Sequence, residues 1–372
     1  MAGAIEEASK NYPDVQFAII DHAYDKQPEN VTSLIYEDNT AAYLAGLIAA
    51  KKTETNKVAF IGGMKSATLD KFEYGFRAGV KAANPDAEVM VQYANSFTDS
   101  ALGKTIANQM HSKNADIIFT CAGAVGIGAI EAAKENGKTI IVLDRPNPLG
   151  GLTVDGPVSE EDFLSFVGVD ILPMAHGMTV GELARYFNRH IGVKLIVVPM
   201  DGYTRDMMFP DTGLRWIPTS PMIPDFLSAL GYMATGLGEG TGIRQDDYFK
   251  WVGGKNINSK VFAQDLNRIG LPGVHFIPQT KGELGGVQLN ITNIRTFQPA
   301  YTGLCILSCA HKLISYPVPK SNKELTMFDK IMGTALIGNL IENDASYQDL
   351  QNAYQESLEN FKKERIKYLI YK

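Results

Sequence analysis

Between Val15 and Asp144, short apolar runs alternate with stretches whose apolar positions recur at helical spacing. The runs at 15–20, 57–62, 88–91, 116–120 and 139–143 are rich in Val, Ile and Phe, and Gly, Asn or Asp punctuate them. Helical patterns near 39–52, 68–83, 99–113 and 125–136 lie between them. A strand that is apolar along its whole length needs cover on both faces, and each βα crossover lays a helix over the sheet. The pattern therefore predicts an α/β fold with a Rossmann-like parallel sheet and helices on both faces. The short crossover through 125–136 predicts that strand 139–143 lies beside strand 116–120 in one sheet. The alternation runs on through a helix at 179–190 and a strand at 194–199, and the first domain closes near Tyr203, giving domains 1–203 and 204–372.

Beyond Tyr203 the texture changes. Residues 204–255 are rich in Gly, Pro, Asp and aromatics with little periodicity, as in long ordered loops that carry sites. Helical patterns return at 258–268, 301–314 and 346–367, with a short extended run at 286–290. This second, smaller domain reads as α+β.

Composition narrows the function classes. A chain of 372 residues is long enough for two domains with substantial cores. Its 35 Lys+Arg against 41 Asp+Glu give a net charge of −6, and no basic block is present, so nucleic acid is not an expected partner. Cys121, Cys305 and Cys309 are too few and too poorly spaced for a disulfide framework or a zinc site, and each reads as a buried thiol. No run reaches the roughly 18 apolar residues of a membrane span. Without a charged n-region and apolar run near Met1, the chain as written reads as cytoplasmic or shorn of a leader. No cofactor or metal set is indicated, and the oligomeric state is not legible.

Four stretches carry candidate chemistry. Gly123–Gly128 follows a strand and opens a helix, so it is either an anion-holding turn or an ordinary tight one; its glycines do not match the dinucleotide spacing. Asp144, Arg145 and Asn147 stand at the carboxyl end of a strand, where open α/β sheets bind ligands; a structural Asp–Arg pair is the alternative. His176 precedes Thr179 and Glu182, whose spacing fits a capping box. That box accounts for Thr179 and Glu182 but leaves His176 open as a proton donor or acceptor. Glu239, Asp246 and Asp247 lie near Tyr248, Phe249 and Trp251, a mixture of carboxylates and aromatics that suits a glycan and equally an ordinary folded loop.

Two resemblances join here. Residues 139–372 resemble the exo-β-N-acetylmuramidase family of peptidoglycan glycosidases, through 142–151 (Val-Leu-Asp-Arg-Pro-Asn-Pro-Leu-Gly-Gly), 165–168 (Ser-Phe-Val-Gly), 176–184 (His-Gly-Met-Thr-Val-Gly-Glu-Leu-Ala) and 271–276 (Leu-Pro-Gly-Val-His-Phe). The resemblance implies a Rossmann-like domain followed by a smaller α+β domain, with a small glycan or muropeptide held in the cleft between them. Terminal N-acetylmuramic acid (MurNAc) would be removed. Its motifs put Asp144, Arg145, Asn147 and Glu182 forward as substrate-binding and His176 as catalytic, and the aromatic loop adds Trp251 as substrate-binding and Glu239 and Asp247 as catalytic candidates.

Residues 1–138 are similar instead to the second lobe of basic-membrane-protein nucleoside-binding lipoproteins of ABC importers. The similarity rests on 57–64, 71–80, 96–99 and 122–126. It implies that Phe72 or Phe76 and the glycines near Gly123 lie beside a nucleoside, with Asp144 in the place of the aspartate that binds ribose. The chain thus reads as a hybrid with a seam near 137–138, and both resembled families are typically exported to the cell envelope.

Each half lacks something. The nucleoside binders close two lobes on their ligand, and the first lobe is absent here. The muramidase family carries a catalytic glutamate in a Glu-His-Gly context upstream of the Asp-Arg-Pro-Asn-Pro motif, and no Glu-His-Gly occurs here. A family loop of the form Ser-Pro-Asn-Met-Pro reads Ser220-Pro221-Met222-Ile223-Pro224. Loss of a general acid costs about 10²–10⁴-fold in rate. The ranked expectations are a muramidase-like protein with weak or absent hydrolysis, then a nucleoside-binding module, then a stable hybrid with neither activity.

Overall fold

A computed structural model describes residues 2–218 and 220–372. In chain order its strands are β1 (Phe17–Ile20), β2 (Val31–Leu34), β3 (Lys57–Gly62), β4 (Glu88–Tyr93), β5 (Ile117–Cys121), β6 (Thr139–Leu143), β7 (Asp155–Val158), β8 (Pro173–Ala175), β9 (Lys194–Val198), β10 (Arg244–Asp246), β11 (Trp251–Lys255), β12 (Val274–Pro278) and β13 (Leu284–Ile291). The helices are α1 (Ala2–Asn11), α2 (Asp38–Lys52), α3 (Ala67–Ala83), α4 (Ser100–Ser112), α5 (Ala124–Glu135), α6 (Val180–Ile191), α7 (Phe226–Thr235), α8 (Ser259–Ile269), α9 (Pro299–Ile314), α10 (Met327–Met332), α11 (Leu336–Glu342) and α12 (Tyr347–Arg365). Backbone contacts divide them into two units, one running to Leu143 and including Asn188–Val197, the other made of Asp144–Phe187 and Val198–Lys372.

The first unit is Rossmann-like. β4, β3 and β5 form a parallel sheet in that order, with Val58 opposite Val89 on one side and Ile117 on the other. The apolar run of β3 is buried from Val58 to Gly62, as a central strand requires. Ser66 caps α3, its hydroxyl accepting from the Leu69 N–H at 3.3 Å, and Leu69, Phe76 and Val80 turn inward. Phe76 stacks on Phe119 with ring centroids 5.1 Å apart. The helices α2 and α3 meet through glycine: a Cβ on Gly46 would overlap the Phe76 carbonyl, and one on Gly79 would overlap that of Tyr43.

The sheet differs from expectation at its edge. β6 pairs with β9, not with β5, so β5 ends the three-stranded sheet and β6–β9 forms a separate two-stranded one. The crossover through α5 does bring 139–143 alongside 116–120, since both line one cleft. α5 is held against α4, where Gly103 and Gly128 admit the opposing backbone, and β6 satisfies its ladder with β9, another strand of the muramidase-like stretch.

The second unit is α+β. β10, β11, β13 and β12 form an antiparallel sheet in that order. α9 is its central helix, buried at every position from Pro299 to His311 and mostly apolar there, including Cys305 and Cys309. Pro299 opens α9, and Asp155 of β7 accepts the Tyr301 N–H at 3.0 Å. Burial raises the Asp155 pKa against the lowering effect of its backbone hydrogen bonds. β7 pairs with β8, and α12 packs against β7. No helix among the described residues is long and apolar enough to cross a membrane.

Candidate functional site

The second unit gathers its charged side chains where β6 ends and α6 begins. Asp144 is buried, and its carboxylate accepts from the Gly181 N–H at 2.6 Å, the Thr179 hydroxyl at 2.8 Å, the Tyr371 hydroxyl at 2.7 Å and the Arg145 N–H at 2.7 Å. An acidic group at the first turn of a helix is favoured by the free N–H groups there. Thr179 and Glu182 make the reciprocal capping bonds their spacing implies. The Thr179 hydroxyl accepts from the Glu182 N–H at 3.2 Å, and Glu182 Oε2 accepts from the Thr179 N–H at 3.0 Å.

Glu182 does more than cap. Its Oε1 pairs with the Arg205 guanidinium and accepts from the Ile370 N–H at 2.8 Å. Arg205 also donates to the carbonyls of Gly177 at 3.1 Å and Tyr371 at 3.2 Å. Arg365 donates through Nη1 to the carbonyls of Gly151, His176 and Gly177 at 3.1, 3.1 and 2.7 Å. Gly177 has φ of 58°, and a Cβ there would meet Arg365 Nη1, so glycine alone fits. Burial, with Arg205 close by, lowers the Arg365 pKa to about 10, which leaves it charged at neutral pH. Two carboxylates and two guanidiniums thus share one buried network that laces the 144–151 and 176–182 loops to residues 205 and 365–372.

His176 borders this network. Its Nδ1 accepts from the Met178 N–H at 3.1 Å, and burial followed by the Arg365 charge lowers its pKa to about 4. At neutral pH the ring is therefore uncharged, with its proton on Nε2. In that state His176 is a hydrogen-bond donor, not a base. Arg145 is exposed, with no side-chain partner among the described residues. Asn147 is committed within the protein, donating across to the Met178 carbonyl of the neighbouring loop at 3.1 Å and accepting from the Leu149 N–H of its own at 3.0 Å.

The remaining predicted residues are either consumed by the network, as Glu182 is, or stand apart from it. Glu182 is fully buried with both oxygens occupied, so it offers a substrate no contact in this geometry. Trp251 is 1% exposed in β11 and its indole N–H donates to the Gln279 carbonyl at 3.0 Å, which leaves no ring face for a sugar. Asp247 pairs with Lys281 at 2.7 Å, and Glu239 is exposed without a side-chain hydrogen bond among the described residues. In the first unit Phe72 packs partly buried near Phe119. Gly123, at φ of 55°, opens α5, and the N–H groups of residues 124–127 are spent on the carbonyls of Phe97, Ala122 and Gly123. That turn is structural, with no free donors for an anion in its first positions.

Sequence reasoning missed Arg205, Arg365, Tyr371 and Tyr203. The Tyr203 and Tyr371 rings meet edge-on with centroids 4.9 Å apart. The Tyr203 hydroxyl is buried without a hydrogen-bond partner among the described residues.

Comparison with known proteins follows the same division. Residues 124–227 match the N-terminal domain of the exo-β-N-acetylmuramidase NamZ, and 230–371 match its C-terminal domain. The peptidoglycan β-N-acetylmuramidase NamZ of Bacillus subtilis is 36% identical over 353 residues, 88% of this chain and 85% of that protein. The chain belongs to the NamZ family. The network described above is built wholly from its NamZ segment. A DUF1343 family protein of Bacteroides fragilis superposes with a TM-score of 0.64 at 25% identity, covering 85% of this chain and 94% of that one. Residues 1–148 match the PnrA-like substrate-binding proteins of ABC transporters, overlapping the NamZ match at 124–148. The ABC transporter nucleoside-binding protein BmpA of Lactococcus lactis is 48% identical over 131 residues, 35% of this chain. The chain spans 37% of that relative's length.

Proposed function

We propose that the chain binds peptidoglycan fragments ending in MurNAc and releases that sugar slowly, as an exo-β-N-acetylmuramidase-type glycosidase short of its general acid. The observation that carries this reading is the 36% identity to the Bacillus subtilis muramidase over 88% of the chain. Two groups bordering the buried network suit the ligand. The Nε2–H of neutral His176 can donate to a sugar oxygen, and the exposed Arg145 guanidinium is opposite in charge to the lactyl carboxylate of MurNAc. Glu239 and Asp247 are the carboxylates to test for residual acid catalysis, since a glycosidase ordinarily works through paired carboxyl groups. Calorimetric titration with MurNAc-GlcNAc tests the binding half. Saturable binding weakened about 2–10-fold in Arg145→Gln supports it, and no heat of binding refutes it.

A second reading rests on the similarity of residues 1–148 to the PnrA-like proteins. With about a third of those relatives' length present, capture of a nucleoside would be weak, because small-ligand sites bury roughly 70–90% of their ligand.

A further inference from the structure

In the second unit, α10, α11 and the segment 319–321 enclose a pocket of about 160 Å³. That is smaller than the roughly 300–1,000 Å³ of sites that hold a whole drug-sized molecule, so it suits one functional group on a short stem. Lys320, Ser321, Asp329, Gly338 and Asn339 are among the residues that line it.

One carboxylate in this lining is only half used. Asp329 is 2% exposed, and its Oδ2 accepts from the Ser321 N–H at 3.0 Å and from the Ser321 hydroxyl. That hydroxyl in turn accepts the Thr326 N–H at 2.9 Å, so Ser321 has little left to offer a guest. Asp329 Oδ1 has no hydrogen-bond partner among the described residues and is not sealed off from solvent. It faces the pocket at Gly338, where an added Cβ would stand 3.9 Å from it. A carboxylate offers about four lone-pair sites, and those of Oδ1 are empty. No Lys, Arg or His forms an ion pair with Asp329 among the described residues, and Lys320 gives its ammonium to Glu342. Asn339 stands exposed at the rim, its carboxamide without a hydrogen bond among the described residues.

An ionised carboxylate removed from water without a cation is costly, and it draws a positive guest while repelling a negative one. Divalent metals take roughly six or more oxygen ligands, which one carboxylate oxygen and one carboxamide do not supply. An ammonium asks only for a negative charge and acceptors within reach of its N–H groups. We propose that this pocket binds the protonated primary amine of a small molecule, which donates to Asp329 Oδ1 and to the carboxamide oxygen of Asn339. The site shares no residue with the Asp144–Glu182 network and is independent of the muramidase reading.

Amide chemical-shift mapping on the full chain, following Ser321, Gly338 and Asn339, tests the proposal with butylammonium as the probe. Butanol keeps the stem without the charge, and butyltrimethylammonium keeps the charge without the N–H donors. Saturable shifts are expected with butylammonium, at least about tenfold tighter than with either analogue. Asp329→Asn should weaken butylammonium by about the same factor, with circular dichroism confirming the fold, whereas Lys320→Gln should retain it. Should Asp329→Asn not fold, the three probes on the unaltered chain still decide. Absence of saturable shifts, equal affinities for the three probes, or loss of butylammonium binding in Lys320→Gln would overturn it. So would tighter binding of butyrate, which would mark an anion site on Lys320, or of potassium, which would mark a bare-cation site.

Discussion

The Tyr371 hydroxyl donates to Oδ2 of Asp144 at 2.7 Å, across 227 positions of sequence. It also accepts the Met200 N–H at 2.7 Å, so one phenol serves the buried Asp144 and the half-buried Met200 backbone. Its ring neighbour Tyr203 serves none. Tyr371→Phe should therefore destabilise the chain by about 1–3 kcal/mol, the cost of leaving buried polar groups unpaired, whereas Tyr203→Phe should be neutral or slightly stabilising. Urea unfolding of the two variants checks this; equal effects would contradict it.

Glu182 and Arg205 are both buried, and each lies in the other's reach. Removing one partner leaves a charge without compensation. Glu182→Gln and Arg205→Met should each cost about 3–5 kcal/mol. The double variant should cost clearly less than the sum, because the second replacement removes the orphaned charge. A double-mutant cycle in denaturant measures the coupling, and strict additivity would show that the pair is not linked.

His176 makes stability depend on pH. Its folded pKa of about 4 lies below the usual 6.5, so the unfolded chain takes up the proton first as pH falls. The contribution of the neutral ring is complete above about pH 6.5 and is lost as pH drops towards 4, amounting to at most about 3 kcal/mol. His176→Gln should flatten the stability profile in that window. A profile unchanged by the substitution would show that His176 is not held neutral.

The alternation of apolar runs and helical patterns made the α/β character legible, because buried parallel strands and their covering helices leave local signatures. Thr179 and Glu182 were legible for the same reason: a capping box spans four consecutive residues. Arg205, Arg365 and Tyr371 were not, since each acts on partners far away in sequence and has no local pattern. Trp251 shows the opposite failure. Carboxylates and aromatics mixed in a loop suit a glycan by composition, but composition does not say that the ring turns into the sheet core. The pairing of β6 with β9 was hidden for a related reason, because a short crossover sets proximity and does not choose the hydrogen-bonded partner.

Glu239 and Asp247 are the carboxylates through which residual hydrolysis would run if either replaces the family's glutamate. With Glu239 exposed and Asp247 engaged by Lys281, Glu239→Gln and Asp247→Asn should leave any release of MurNAc unchanged. Loss of release in either variant, measured at equal enzyme concentration, would assign that residue the acid's role.

The NamZ segment keeps the family's domains and contains no Glu-His-Gly sequence. The direct test of slow release is the initial rate of MurNAc release from a MurNAc-GlcNAc fragment, measured beside the Bacillus subtilis relative under identical conditions. The expected rate is at least about 100-fold lower, the usual consequence of losing a general acid. Release at a comparable rate would contradict it and would mean that another group has taken over the acid's role.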